Sequence, residues 1–248
     1  YPITVNQVTN KSISIKVFLE GPYTSNAMST SLNGNMLIPL SQPYNNPPWN
    51  YGGTESVVSV PASVVDWVLV DLRDAATPET ATTSITGWPK ACFLKSDGTI
   101  VGLDGSSLPS IGNPAITNNL YVVVRHRNHI AVMSATGMVL ASNTYSFDFT
   151  SGLGQAYGSG AGYKELETGV FGMVAGDSDA DGDIALNDYT IWAVDFGNNP
   201  VYFSSDNDLD GDIALNDYTK WAVNFGIANP ITSPWRNSFR SQVPNRKQ

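Results

Sequence analysis

The twelve residues Asp177–Asp188 and the twelve residues Asp206–Asp217 carry aspartate at the same five places, positions 1, 3, 5, 7 and 12. In the first copy these are Asp177, Asp179, Asp181, Asp183 and Asp188, and in the second Asp206, Asp208, Asp210, Asp212 and Asp217. Carboxylates crowded along so short a span repel one another, so the chemistry that suits them is oxygen coordination of a hard divalent cation. The side chains at positions 1, 3, 5 and 12 and the backbone carbonyl at position 7 approach the six to eight oxygens that calcium takes, with a water often reached from position 9. Glycine stands at position 6 of both copies, Gly182 and Gly211, where the chain must turn sharply and a β-carbon is penalised. Ile184 and Ile213 at position 8 are apolar in polar loops and suit a strand-like contact between the two. Magnesium tolerates a crowded all-protein cage poorly, so the expected complement is two Ca²⁺.

The elements that hold these loops are asymmetric. Before the first copy, Glu167–Gly176 contains three glycines in ten residues, which argues against an entering helix. After it, Asp188–Phe196 places Tyr189, Trp192, Ala193 and Phe196 on one helical face, and Gly197 can end the helix. Asp217–Phe225 and Gly226 repeat the scheme. Seventeen of the 22 positions from Asp177 to Asn198 recur 29 residues later, so the segment is an internal duplication. The pattern D-x-D-x-D-G-x-I-x-x-x-D followed by one helix, present twice, resembles a dockerin-type calcium module over about residues 175–230. That resemblance implies two bound calcium ions, a pair of packed helices and, in cellulosomal members, docking to a cohesin partner. Cohesin readers often carry small hydroxyl residues at loop positions 10 and 11; this chain has Leu186-Asn187 and Leu215-Asn216.

Charge divides the chain in the same place. Residues 177–217 hold eleven of the 22 acidic residues and no Lys or Arg, whereas the other 207 residues hold eleven acidic and thirteen basic. The formal charge of −9 is therefore local to the loops, and two Ca²⁺ would bring it to −5. An acidic lobe with no basic stripe excludes nucleic acid as a partner class. Arg236, Arg240, Arg246 and Lys247 near the end of the chain are basic enough to meet an acidic surface on a neighbouring subunit. Cys92 stands alone, which leaves no disulfide framework, and no run of eighteen apolar residues suggests a membrane span. The chain opens at Tyr1 without a charged-then-apolar leader, as a mature secreted chain does. Weak calcium sites fill where calcium is millimolar, which points to the extracellular space or cell surface.

A chain of 248 residues with only 14% charged residues, 22 Gly and 15 Pro favours β structure with many turns. Ile13, Ile15, Val17 and Leu19 alternate with polar neighbours as half-buried strands do. Val65–Arg73 and Leu120–Met133 read as buried strands, Lys95–Thr99 as a hairpin turn, and Tyr145–Phe149 as a last strand before the glycine-rich link at 151–162. The expected fold is mainly β: an antiparallel β-sandwich domain over 1–165, a small α lobe with two calcium loops over 166–230, and a tail over 231–248. Leu19–Tyr23, Val65–Asp74 and Arg125–His129 also resemble a module of secreted Bacteroidota proteins that precedes a dockerin-like end, which implies a secreted, multi-module protein.

Catalytic groupings are sparse. His126 and His129 are the only histidines, and on one strand they would face opposite ways, as would Asp66 and Asp71. Glu20 and Glu55 have no readable partner, and no nucleophile elbow or phosphate-binding glycine loop is present. The expectation is no enzyme and no catalytic residue. Three readings follow. The first is a noncatalytic, calcium-stabilised structural protein that associates with copies of itself or a cell-surface protein, as a filament joined by donation of its N-terminal strand. The second is a binding module that docks to a cohesin-like partner or holds carbohydrate through Trp49, Tyr51 or Trp88. The third is a secreted hydrolase.

Overall fold

A computed structural model describes residues 10–112, 115–158 and 160–228. In chain order the elements are β1 (Lys11–Lys16), β2 (Tyr23–Thr24), β3 (Ala27–Met28), α1 (Ser31–Gly34), β4 (Val64–Ala75), β5 (Lys90–Lys95) and β6 (Ile100–Val101). There follow β7 (Ser110–Ile111), β8 (Asn119–Arg125), β9 (Val132–Met133), β10 (Val139–Ala141), β11 (Thr144–Asp148), β12 (Tyr163–Glu167) and β13 (Val170–Met173). Two helices close the described chain, α2 (Leu186–Asp195) and α3 (Leu215–Asn224). The fold is mainly β, and among the described residues no helix is long and apolar enough to cross a membrane.

Two sheets build the body. One runs β10-β11-β1-β7 and the other β6-β5-β4-β8-β9. β4 is the centre of the larger sheet, antiparallel to both β5 and β8. Its run of valines and leucines is buried along nearly its whole length, as expected of a strand covered on both faces. Ile13 and Ile15 of β1 share one hydrophobic cluster with Val68, Val70, Val122 and Val124 of the larger sheet, which is the layering of a sandwich.

Several expectations change here. β1 and β11 pair in parallel, so the smaller sheet is mixed rather than antiparallel throughout. β1 also lies between β11 and β7, so Lys11–Lys16 completes its own sheet and is not open for donation to a neighbour. Residues 1–9, the rest of that candidate donor, lie outside the described residues. The expected strand Leu120–Met133 ends at Arg125 and resumes only at Val132. Continued pairing would have placed Arg-His-Arg-Asn-His across the sheet, and the chain instead turns these groups toward polar partners. Past the glycine-rich link, an unforeseen hairpin β12–β13 spans residues 163–173, across the boundary expected at 165/166. Its Tyr163 and Met173 sit in the main cluster, and Met173 exchanges backbone hydrogen bonds with Phe18 and Glu20.

The two helices are related by an approximate twofold. Trp192 Nε1 donates to the Ala214 carbonyl at 2.9 Å, and Trp221 Nε1 donates to the Ala185 carbonyl at 2.9 Å. The stop residues Gly197 (φ 90°) and Gly226 (φ 88°) adopt the left-handed region that ends many helices. Gly197 N–H donates to the Ile213 carbonyl at 2.9 Å, and Gly226 N–H donates to the Ile184 carbonyl at 2.8 Å. The position-8 isoleucines therefore pair with the chain leaving the opposite helix, not with each other's loop as the sequence suggested.

Contact between loop and body is close enough to test. A β-carbon on Gly21 would fall 2.1 Å from the Asn207 carbonyl oxygen, whereas one on Gly52 meets nothing within 4 Å. Gly21→Ala is expected to cost about 2 kcal/mol or more in a urea unfolding titration, as overpacking does, and Gly52→Ala less than about 0.5 kcal/mol. Equal midpoints for the two variants would show that loop and body do not meet as described.

Candidate metal centres

Each loop gathers its carboxylates by folding back on its own position 12. Asp188 accepts the N–H groups of Ala185 at 2.8 Å and Asp179 at 3.2 Å. Asp217 does the same with Ala214 at 2.8 Å and Asp208 at 3.2 Å, and also accepts from Asn207 at 2.6 Å. Asp181 accepts the Asp183 N–H at 3.0 Å, and Asp210 accepts the Asp212 N–H at 3.0 Å. These bonds tighten the turn at Gly182 and Gly211, both at φ 96°, a conformation that favours glycine. Carboxylate oxygens of Asp177, Asp179 and Asp188 lie within 4.8 Å of one another, as do those of Asp206, Asp208 and Asp210.

The residues fit a hard cation. Asp177 Oδ1 and Asp208 Oδ1, each on a member of a converging set, are buried atoms that make no hydrogen bond. Buried acceptors are almost always satisfied, so orphaned carboxylate oxygens in a converging set point to coordination. Two like charges at 4.8 Å repel by about 3 kcal/mol at an effective dielectric of about 20. The side chains at position 11 were not foreseen as participants: Asn187 donates to Asp179, and Asn216 donates to Asp208 and Asp210.

Burial, reinforced by neighbouring carboxylates, raises Asp177, Asp179 and Asp188 in the first loop and Asp206, Asp208 and Asp217 in the second. Asp188 is pushed up to about 7, Asp208 to about 7 and Asp206 to about 8, the last despite opposition from Arg127. Burial lifts Asp177 well above the usual carboxylate range, with Asp188, Asp179 and Asp181 adding to the effect.

Both loops are bolted to the body by the turn after β8. The Asn128 carbonyl accepts the N–H groups of Gly176 at 3.0 Å and Asp177 at 3.2 Å, while Asn128 Nδ2 donates to the Asp206 carbonyl at 2.5 Å. Arg127 donates from Nε to Asp66 at 3.0 Å, reaches toward Asp206 at 3.7 Å, donates to the Phe203 carbonyl, and lies 4.3 Å over the Tyr202 ring. Asp66 also accepts from Tyr202 at 2.6 Å. Its burial works to raise its pKa, but Arg127, His126 and Tyr202 together hold it below the ordinary value. Sequence reasoning missed Arg127, Asn128 and Tyr202; a dense run of polar residues after a buried strand was the one available signal.

The histidine expectation is also corrected. Because β8 ends at Arg125, strand parity does not apply, and His126 Nδ1 lies 3.1 Å from His129 Nδ1. His129 Nε2 accepts the Gly21 N–H at 3.1 Å, so in the neutral ring its proton sits on Nδ1, facing Asn128 Oδ1 at 2.9 Å. His126 Nε2 lies 3.1 Å from Asp66 Oδ2. Burial lowers both histidine pKa values and holds the rings neutral. This arrangement has the orienting acid of a relay but no nucleophile at its end, and every ring nitrogen is engaged. Asp71 belongs to a separate cluster with Arg73 at 3.0 Å and Arg125 at 3.6 Å. Glu20 and Glu55, unassigned from sequence, pair with Lys164 at 2.6 Å and Tyr51 at 2.5 Å. Burial raises Cys92 to about 12, which keeps the thiol protonated.

The three aromatic candidates for sugar stacking differ in setting, with Trp49 and Tyr51 half-buried. Trp88 is buried, Trp49 packs edge-on against Tyr44 at 5.1 Å, and Tyr51 is held by Glu55. Arg236, Arg240, Arg246 and Lys247 lie outside the described residues.

No protein-family model matches the chain, and no curated protein matches it. Two solved structures resemble it in overall shape, both interface mutants of a type II cohesin–X-dockerin complex from Acetivibrio cellulolyticus. The first has 15% identity and a TM-score of 0.42 over 88% of this chain and 97% of that one; the second has 14% and 0.42 over 87% and 97%. A likeness of that size carries no argument about partner or activity.

The raised acids fix the sign of a pH effect. In chelator, the folded loops bind protons that the unfolded chain releases near pH 4, so stability falls as pH rises from about 4 to about 8. Melting temperatures in EDTA are expected to drop steadily between pH 5 and pH 8, and millimolar Ca²⁺ to flatten or reverse that trend. A chelated protein whose melting temperature is constant or rises across the window contradicts the picture of crowded, buried carboxylates.

Proposed function

We propose that this chain is a noncatalytic, extracellular binding module in which two Ca²⁺ order a C-terminal lobe for docking to another protein. The observation that carries the calcium assignment is the repeated convergence of carboxylates around buried oxygens with no hydrogen-bond donor. Asp177, Asp179, Asp181 and Asp188 with the Asp183 carbonyl would hold one ion; Asp206, Asp208, Asp210 and Asp217 with the Asp212 carbonyl would hold the other. Calcium there supplies fixed positive charge, which neutralises the carboxylates and rigidifies the loops. An extracellular location fits, because sites of this class fill at millimolar calcium.

Support for docking comes from the outer surface of the helix pair. Val194 and Val223 are 77% and 65% exposed, and Phe196 and Phe225 are 52% and 53% exposed. These are the same positions of the two repeats, so the twofold presents one apolar motif twice. Exposed apolar groups gathered on one element mark interaction surfaces, and the acidic loops beside them favour a partner whose rim carries Lys or Arg. The dockerin-like motif adds to this reading. Self-association is a second reading, favoured by β10, an edge strand with Val139 and Leu140 exposed.

Calorimetric titration of the full chain with CaCl₂ is expected to give two ions per chain, and sedimentation in millimolar Ca²⁺ to give a monomer. No heat of binding and no stabilisation at millimolar Ca²⁺ would overturn the calcium assignment. Polymers that vanish on deleting residues 1–10 would replace docking with self-assembly.

A further inference from the structure

The two repeats differ at five of the 22 aligned positions: Ser178 and Asn207, Ala180 and Leu209, Ile191 and Lys220, Asp195 and Asn224, Asn198 and Ile227. In the second repeat the side chains of Leu209, Lys220, Asn224 and Ile227 serve contacts that hold it to the rest of the protein, while Asn207 Nδ2 donates within its own loop to the Asp217 carbonyl. Asn207 is fully buried with its carbonyl against Gly21, and Leu209 joins the main hydrophobic cluster of the body. Lys220 Nζ donates to the Glu20 carbonyl at 3.4 Å. Asn224 Nδ2 donates to Glu20 Oε2 at 2.7 Å and to the Ala175 carbonyl at 2.8 Å, and its Oδ1 accepts from Lys164 at 2.9 Å. Ile227 packs against the cluster of Ile130, Val174, Ile184 and Trp221.

Ser178 is buried like Asn207, but the other counterparts in the first repeat are less committed. Ala180 and Ile191 are half-buried, Asn198 is exposed and donates back to the Asp195 carbonyl, and Asp195 accepts from Ser205 within the lobe. The cation-binding positions are identical between repeats, and four of the five differences, at Leu209, Lys220, Asn224 and Ile227, fall on residues that tie the second repeat to the body. At position 4 both loops need a positive φ, 55° at Ala180 and 61° at Leu209. A leucine in that conformation is strained, and its burial in the core offsets the strain.

Resting on the calcium assignment above, we propose that the Asp206–Asp217 loop is a calcium latch for the β-sheet body. Occupancy of that loop is coupled to the order of β4 and β8, while the Asp177–Asp188 loop takes its ion with little effect on the sheets. The coupling runs through side chains anchored at one end in the loop and at the other in the body. Without a cation, repulsion drives Asp206, Asp208, Asp210 and Asp217 apart wherever they are ionised together, and Arg127 at 3.7 Å supplies a single positive charge against them. Separation draws Asn207 and Leu209 out of their seats and loosens the Asn128 contact to Asp206. The first loop meets the same turn through the backbone N–H groups of Gly176 and Asp177, which donate to the Asn128 carbonyl, and through Ile184, which packs in one cluster with Ile130; no side chain at its positions 2 to 4 reaches the main cluster of the body.

The test compares Asp179→Asn with Asp208→Asn, position 3 of each loop, in the full chain. Hydrogen exchange of β4 peptides is measured with and without 1 mM Ca²⁺, alongside melting temperature and calorimetric stoichiometry. Through the latch site alone, calcium is expected to raise the wild-type melting temperature of the sheets by about 5–10 °C, the scale for one site at about 100 times Kd in a domain of this size. Asp179→Asn should keep most of that gain and the calcium-dependent protection of β4; Asp208→Asn should lose more than half of both. In case Asp208→Asn does not fold, Leu209→Ala, which installs the first repeat's residue, should still bind two ions but show a smaller calcium-dependent gain. Equal losses in the two aspartate variants, or an undiminished gain in Leu209→Ala, would overturn the latch while leaving calcium binding intact. A wild type that binds no calcium overturns both readings together.

Discussion

Buried like charges need a counter-charge, and this requirement organises the C-terminal half of the molecule. Asp177, Asp188, Asp206 and Asp217 are all at or near zero exposure, each with at least one further carboxylate close by. Hydrogen bonds from loop N–H groups satisfy part of their oxygen valence but none of their charge. Protonation is one remedy, seen in the upward displacement of their pKa values; a divalent cation is the other and the stronger at neutral pH. The glycine turns, the asparagines at position 11 and the aspartates at the helix starts are all arranged around that requirement.

The same charge problem explains how lobe and body fit together. Arg127 shares its guanidinium between Asp66 on β4 and Asp206 at the head of the second loop, with Tyr202 stacked on its face. A buried ion pair adds little stability against an apolar substitute, but breaking one partner costs about 3–5 kcal/mol because the other is left uncompensated. Such a cluster favours one docking geometry over others. The neutral pair His126 and His129 completes the cluster by accepting the Gly21 N–H and bonding Asn128, so these rings hold backbone in place.

Much of this was legible in the sequence wherever a local pattern has one geometric solution. Aspartates at positions 1, 3, 5, 7 and 12 around a glycine specify a loop, and the aromatic spacing after Asp188 and Asp217 specifies a helix. The valine-rich run at 65–73 reads as a buried strand because no amphipathic alternative fits it. What escaped was set by long-range pairing. Parity arguments for His126 and His129 assumed a strand that Arg125 ends; Glu20 finds Lys164 and Asn224 across 144 and 204 residues. The contact partner of Ile184 is Ile227, in the chain that leaves α3, rather than a residue of the duplicate loop. The differences between repeats stand in the sequence, but the shared role of Leu209, Lys220, Asn224 and Ile227 emerges only once the body that they touch is in place.

The central claim is that each loop closes on one calcium ion, and anomalous diffraction tests it most directly. A crystal of the full chain grown in millimolar CaCl₂ and measured at long wavelength should show two anomalous peaks. One belongs among the carboxylates of Asp177, Asp179, Asp181 and Asp188, the other among those of Asp206, Asp208, Asp210 and Asp217. A well-ordered map with no peak at either position, and with the aspartate side chains still converged, would contradict the account.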